Sequence, residues 1–122
     1  MLCEGETDWL SVAAAALELR TETRIVPIGL TTMSAPWREH WTDLIEDANR
    51  MAIAFDRGTG DNPAGKQRTG EILRSLTRRH GKRYIRERTT VELRNDDEDL
   101  NDLRAVGELV DRLRRWLHLE DV

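Results

Sequence analysis

Apolar residues run unbroken from Met51 to Phe55, MAIAF, with no polar residue on either phase of the run. That is the pattern of a strand buried on both faces of a parallel sheet. Met1-Leu2-Cys3 repeats it in shortened form and delivers Glu4 to a strand end, much as the central run delivers Asp56. Trp9, Val12, Ala13, Ala16 and Leu17 recur at helical spacing, with Thr7 or Asp8 available as cap, and predict a first helix whose stripe faces the sheet. Arg24 to Leu30 reads as a second strand, in which Pro27 suits an edge or a bulge. Ser34 to Pro36 then starts a helix on Trp37, Trp41, Leu44, Ile45 and Ala48, where the two tryptophans read as core rather than as a base-stacking platform. After the central strand, Pro63 to His80 predicts a helix on Ile72, Leu73 and Leu76, stopped at Gly81. Arg83 to Leu93 reads as a fourth strand on Tyr84, Ile85, Val91 and Leu93. Asp99 to Leu117 reads as a closing helix on Leu103, Val106, Val110, Leu113 and Leu117. Strands alternating with helices predict an α/β domain: a compact, Rossmann-like layer of about four mostly parallel strands flanked by helices.

Length and charge refine this picture. A chain of 122 residues supports one domain with one sheet. The opening strand is shorter than the usual five or so residues, which suggests a domain excised from a larger protein. The net charge of -4 argues against a generic basic nucleic-acid binder, yet it averages two opposite segments. From Arg57 to Arg88 bases dominate, with only Asp61, Glu71 and Glu87 against them. From Glu92 to Asp102 acids dominate, with Arg94 alone against them. Cys3 is the single cysteine, so neither an internal disulfide nor a thiolate zinc site is available, and a reducing cytoplasm is the expected compartment. The longest apolar run, Val12 to Leu17, is too short to span a bilayer, and no membrane partner is expected.

The acids are the candidate chemistry. Glu4 ends the first strand, Asp56 follows the central one with Asp61 nearby, and Asp96, Asp97 and Asp99 follow the fourth. Carboxylates brought about 4 Å apart repel by roughly 4 kcal/mol per pair at an effective dielectric near 20. A hard divalent cation with oxygen ligands relieves that repulsion, and such ions serve phosphoryl chemistry. A rival motif overlaps them: Gly60 to Lys66 fits the spacing of a P-loop between strand and helix. Gln67 stands where that loop needs a hydroxyl for magnesium, and Pro63 removes an N–H from the phosphate cradle, so this reading is set aside. His40, His80 and His118 are isolated in sequence and are assigned no chemistry.

In order, CEGETD, AFDRGTGDNPAGK and DEDLNDL resemble the motifs of the Toprim family, the metal-binding domain of primases, topoisomerases and certain small nucleases. The resemblance covers nearly the whole chain. It implies that Glu4 is the general acid/base and that Asp56 binds Mg2+ or Mn2+. Gly58 stands where the family has a second aspartate, so Asp61, with Asp97 and Asp99, is expected to complete the metal set. The acidic DEDLNDL segment favours the primase and helicase branch, which implies a nucleotidyltransferase acting on DNA or RNA with nucleoside triphosphates, beside further domains or replication proteins. Arg57, Lys66 and Arg68 are the expected nucleic-acid contacts, beside the metal. The alternatives are a small Toprim nuclease and a metal-free, non-catalytic nucleic-acid-binding module, which Gly58 would permit.

Overall fold

A computed structural model describes residues 1–19, 25–30, 35–55, 64–92, 100–105 and 107–119. Four strands, β1 (Leu2–Glu4), β2 (Ile28–Leu30), β3 (Met51–Ala54) and β4 (Thr89–Val91), form one all-parallel sheet in the order β2-β1-β3-β4. The helices are α1 (Gly5–Leu19), α2 (Ala64–His80), α3 (Lys82–Arg88), α4 (Leu100–Ala105) and α5 (Leu109–Trp116), with a 3-10 helix over Glu39–Leu44. The expected α/β class is observed, and Pro27 directly precedes the edge strand β2.

Both faces of the sheet are covered. Met1, Cys3, Ala52 and Ala54 pack with α1, α4 and α5 through Val12, Ala15, Leu19, Leu100, Leu103, Leu109, Leu113 and Trp116. Leu2, Met51, Ile53 and Phe55 pack on the other side with Ile72 and Leu76 of α2, Ile45, and the partly buried Trp37, Tyr84 and Ile85. Successive residues of a strand point to opposite faces, so the central run sends small side chains to one layer and large ones to the other.

That division accounts for the first departure from expectation. Trp9 and Leu17 are 40 % and 79 % exposed, whereas Asp8, Ser11, Val12, Ala15 and Leu19 are buried. The sheet face beneath α1 is built of Cys3, Ala52 and Ala54, and it accepts the helix's narrow side rather than its bulkiest one. A similar correction applies to residues 34–48. Their helical part is the short 3-10 segment, and Leu44 is 76 % exposed while Thr42 and Ile45 are buried.

The expected fourth strand is in its first half a helix. α2 ends at His80, and α3 begins at Lys82 and carries Tyr84 and Ile85, so among the described residues of this segment the strand is Thr89–Val91. Tyr84 holds α3 in place: its hydroxyl donates to the Glu46 carbonyl at 2.7 Å, and its ring stacks on His80 at 4.5 Å. The closing helix is two helices. Gly107, with φ of +79°, interrupts it in a conformation that costs a residue with a Cβ roughly 1–2 kcal/mol, and Val110 lies only at the margin of the core.

A polar chain ties the 3-10 segment to α2. The Trp37 indole N–H donates to Thr42 Oγ1 at 3.0 Å, Thr42 and Ser75 hydroxyls meet at 2.6 Å, and Ser75 reaches both Glu39 carboxylate oxygens at 2.9 Å. With Ser75 donating to the carboxylate, Thr42 donates to Ser75, and each buried hydroxyl is both donor and acceptor. Arg79 then bridges Glu39, Asp43 and Glu46. The Ser75 hydrogen bond, followed by Arg79 and Arg78, holds Glu39 below the usual carboxylate range, and Arg79 followed by His80 does the same for Glu46.

Carboxyl groups whose folded pKa values are depressed add stability above their unfolded value, near 4.5, and lose it as pH falls through the lower folded values. Arg79→Met is therefore expected to lower the melting temperature at pH 6 and to flatten its fall below pH 4.5. Thermal unfolding followed by circular dichroism from pH 6 to 2 measures both effects.

Candidate functional site

The strand order creates a switch point. From β1 the chain moves outward to β2, and from β3 it moves the other way to β4; α1 covers one face of the sheet and α2 the other. The connections therefore part at the carboxyl ends of β1 and β3, which is where open α/β sheets leave a crevice for ligands.

Glu4 stands at that place. It is the last residue of β1, partly buried, level with Leu30 of β2. Cys3 pairs with Ala54, so Glu4 is level with Phe55 on the other side. Gly5 follows with φ of +75° and is already the first residue of α1. A glycine tolerates this left-handed conformation without a steric penalty, which lets the strand become helix with no loop and keeps Glu4 at the edge. Asp8, one turn further along α1, is buried.

The edge strand braces this junction. A Cβ on Gly29 would come within 3.2 Å of both the Gly5 carbonyl oxygen and Trp9 Cβ, so β2 lies directly against the first turn of α1. The Trp9 indole N–H donates to the Pro27 carbonyl at 3.1 Å. The half-exposed tryptophan thus acts as a strap between α1 and the segment leading into β2.

Of the other expected site residues, Asp56, Arg57, Asp61, Asp97 and Asp99 lie outside the described residues. Among the described residues, no three His, Cys, Asp or Glu side chains gather in a group that suits a metal ion. Lys66 is exposed on the first turn of α2, and it has no ion pair among the described residues. Arg68 does not face solvent: its side chain is 8 % exposed, it donates to the Ala35 carbonyl, and its Nε lies 3.1 Å from Glu71 Oε2. Glu71 Oε2 also accepts from the Trp37 backbone N–H at 2.7 Å. Arg68 and Glu71 together fasten residues 35–37 to α2, which is the physical reason this arginine is turned inward. The signal in sequence was the three-residue spacing of Arg68 and Glu71, an ion-pair spacing on a helix.

Also among the described residues, no helix is long and apolar enough to cross a membrane. No family model, curated protein or solved structure matches the chain.

Two glycine substitutions test the brace. Gly29→Ala is expected to cost about 1–3 kcal/mol, because the contact atoms include backbone that cannot swing aside. Gly5→Ala meets open space but a strained φ, with an expected cost of about 1–2 kcal/mol. Urea unfolding of each variant gives the values.

Proposed function

We propose that this chain is a Toprim-type domain of the primase class, performing Mg2+- or Mn2+-dependent phosphoryl transfer on nucleic acid. The observation that carries this reading is Glu4 at the carboxyl end of β1, at the switch point, with glycine and helix directly after it and the fully buried β3 beside it. Asp56 follows Phe55 in sequence, so the motif order and the strand order agree on one edge of the sheet.

The donor chemistry suits the ion. The ligands proposed for it are all aspartate carboxylates, and oxygen donors are what magnesium selects. Asp56, with Asp61, Asp97 and Asp99, would hold the metal. When bound, it would supply charge neutralisation at the triphosphate and at the phosphorus under attack.

The chain's own contribution is positioning and proton handling. In primer synthesis a 3′-hydroxyl oxygen attacks the α-phosphorus of a nucleoside triphosphate; a new P–O bond forms, and the bond to pyrophosphate breaks. Glu4 accepts the hydroxyl proton on a carboxylate oxygen, from a position fixed by the Gly5 junction and by the contact of β2 with α1. Lys66, exposed on the first turn of α2, is suited to a backbone phosphate.

Glu4→Gln is expected to lower nucleotidyl transfer by 100-fold or more, within the usual range for a lost general base, while leaving metal-induced amide shifts in place. Asp56→Asn is expected to abolish those shifts. Metal titration by amide NMR, together with primer-synthesis assays on the protein and any partner domains, checks both. Cutting of labelled RNA or DNA without nucleotides would replace synthesis by nuclease action. Nucleic-acid binding that ignores chelators, without metal shifts, would leave a non-catalytic module.

A further inference from the structure

The arginines and lysines of α2 and α3 fall into two sets, apart from Arg88, which lies over the Tyr84 ring. Arg68, Arg79 and Arg83 are each committed to carboxylates of this chain: Glu71; Glu39 with Asp43 and Glu46; and Glu87. Lys66, Arg74, Lys82 and Arg86 are exposed and form no ion pair among the described residues. With Arg78, exposed and, among the described residues, paired only with the exposed Glu39, these residues recur at every fourth position except one. The exception is Gly70, and Arg74 fills it, since its Nη1 lies 3.2 Å from where a Gly70 Cβ would stand.

A four-residue step advances about 6 Å along a helix and turns about 40° past a full turn, so residues so spaced form one slowly winding ridge. Lys66 to Arg78 therefore makes a cationic row about 18 Å long on α2. The row continues in sequence onto α3, where Tyr84 and Ile85 pack inward and Lys82 and Arg86 are exposed. Its direction follows from the topology. α2 leads away from the carboxyl end of β3, and α3 leads into the start of β4, with Arg50 just ahead of β3 donating to the Glu87 carbonyl at 2.7 Å. The row thus begins near the switch point and ends at the opposite edge of the sheet.

We infer that the row Lys66, Arg74, Arg78, Lys82 and Arg86 is a track for one strand of nucleic acid, holding its phosphodiester backbone as it leaves the site at the carboxyl edge. The inference deepens the nucleic-acid reading above and rests on it. Stacking plays little part, because Tyr84 already has His80 on its ring at 4.5 Å and Arg88 over it at 5.1 Å. Phosphate contact without base readout makes the track indifferent to sequence and sensitive to salt.

The test is fluorescence anisotropy with a labelled oligothymidylate of about 20 nucleotides, in EDTA, across a salt series. Five contacts to a single strand predict a slope of log affinity against log salt of about -3.5. The triple variant Arg74→Gln, Lys82→Gln, Arg86→Gln is expected to bring the slope to about -1.4 and to weaken binding roughly 100-fold at 0.1 M salt. The control pair Arg114→Gln, Arg115→Gln, exposed on α5, is expected to change the slope by much less. Wild-type binding that the triple variant leaves intact would overturn the track and spare the nucleic-acid reading. Absence of wild-type binding in low salt, or binding to anionic vesicles instead, would overturn the track outright; the metal titration would then judge the catalytic reading separately.

Discussion

Residues Met51 to Phe55 are buried on both sides, and their side chains alternate between large and small, Met, Ala, Ile, Ala, Phe. Ile53, Phe55, Leu2, Ile72 and Leu76 fill the α2 layer, each contributing about 1.5–3 kcal/mol by leaving water. Cys3, Ala52 and Ala54 leave the α1 layer shallow, and α1 meets it with Val12 and Ala15 at its centre. The two helical layers are therefore unequal in depth, and the sheet cannot be turned over without emptying one layer and crowding the other. Strand register is set by the same constraint, because a shift of one residue would exchange the faces.

From that asymmetry follows the placement of Glu4 at the sheet edge. α1 is drawn close to the strand it leaves, and Gly5 is the joint that permits it. The tight approach of Gly29 to Gly5 and Trp9 then fixes the angle at which Glu4 ends its strand. On the other layer the interior is wetter. Thr42, Ser75 and Arg68 are buried there, but each has a partner that extends to the surface through Glu39 or Glu71. One face of the sheet is thus held by close apolar packing and the other by apolar packing with a hydrogen-bonded margin.

The sheet was legible because strands buried on both faces leave a coarse mark: MAIAF contains nothing else for a strand to be. The all-parallel arrangement followed from the alternation of strands with helices. The face of α1 was not legible, since the shallowness of the layer beneath it depends on Cys3, Ala52 and Ala54 meeting across two strands. Tyr84 and Ile85 looked like strand residues because both favour extended backbone; the hydroxyl bond to Glu46 that helps hold Tyr84 on a helix comes from a segment distant in sequence. Gly107 lay inside an apolar repeat that ran through it unbroken, and its positive φ falls between α4 and α5. Of the candidate site, the place of Glu4 at the end of a strand was readable from the apolar run before it and Gly5 after it. The inward turn of Arg68 was hidden by the basic residues around it, which share its charge and differ in their neighbours.

Cys3 lies one residue before Glu4 with no exposed surface, its thiol 3.6 Å from the Ile28 carbonyl oxygen across to the edge strand. It is the only sulfhydryl in the chain. A thiol so enclosed is shielded from alkylating reagents until β2 or α1 lifts away from it, so its rate of modification is a clock for the opening of this corner of the sheet. The chain carries its own reporter of local breathing, set beside the residue whose position matters most to the proposed chemistry.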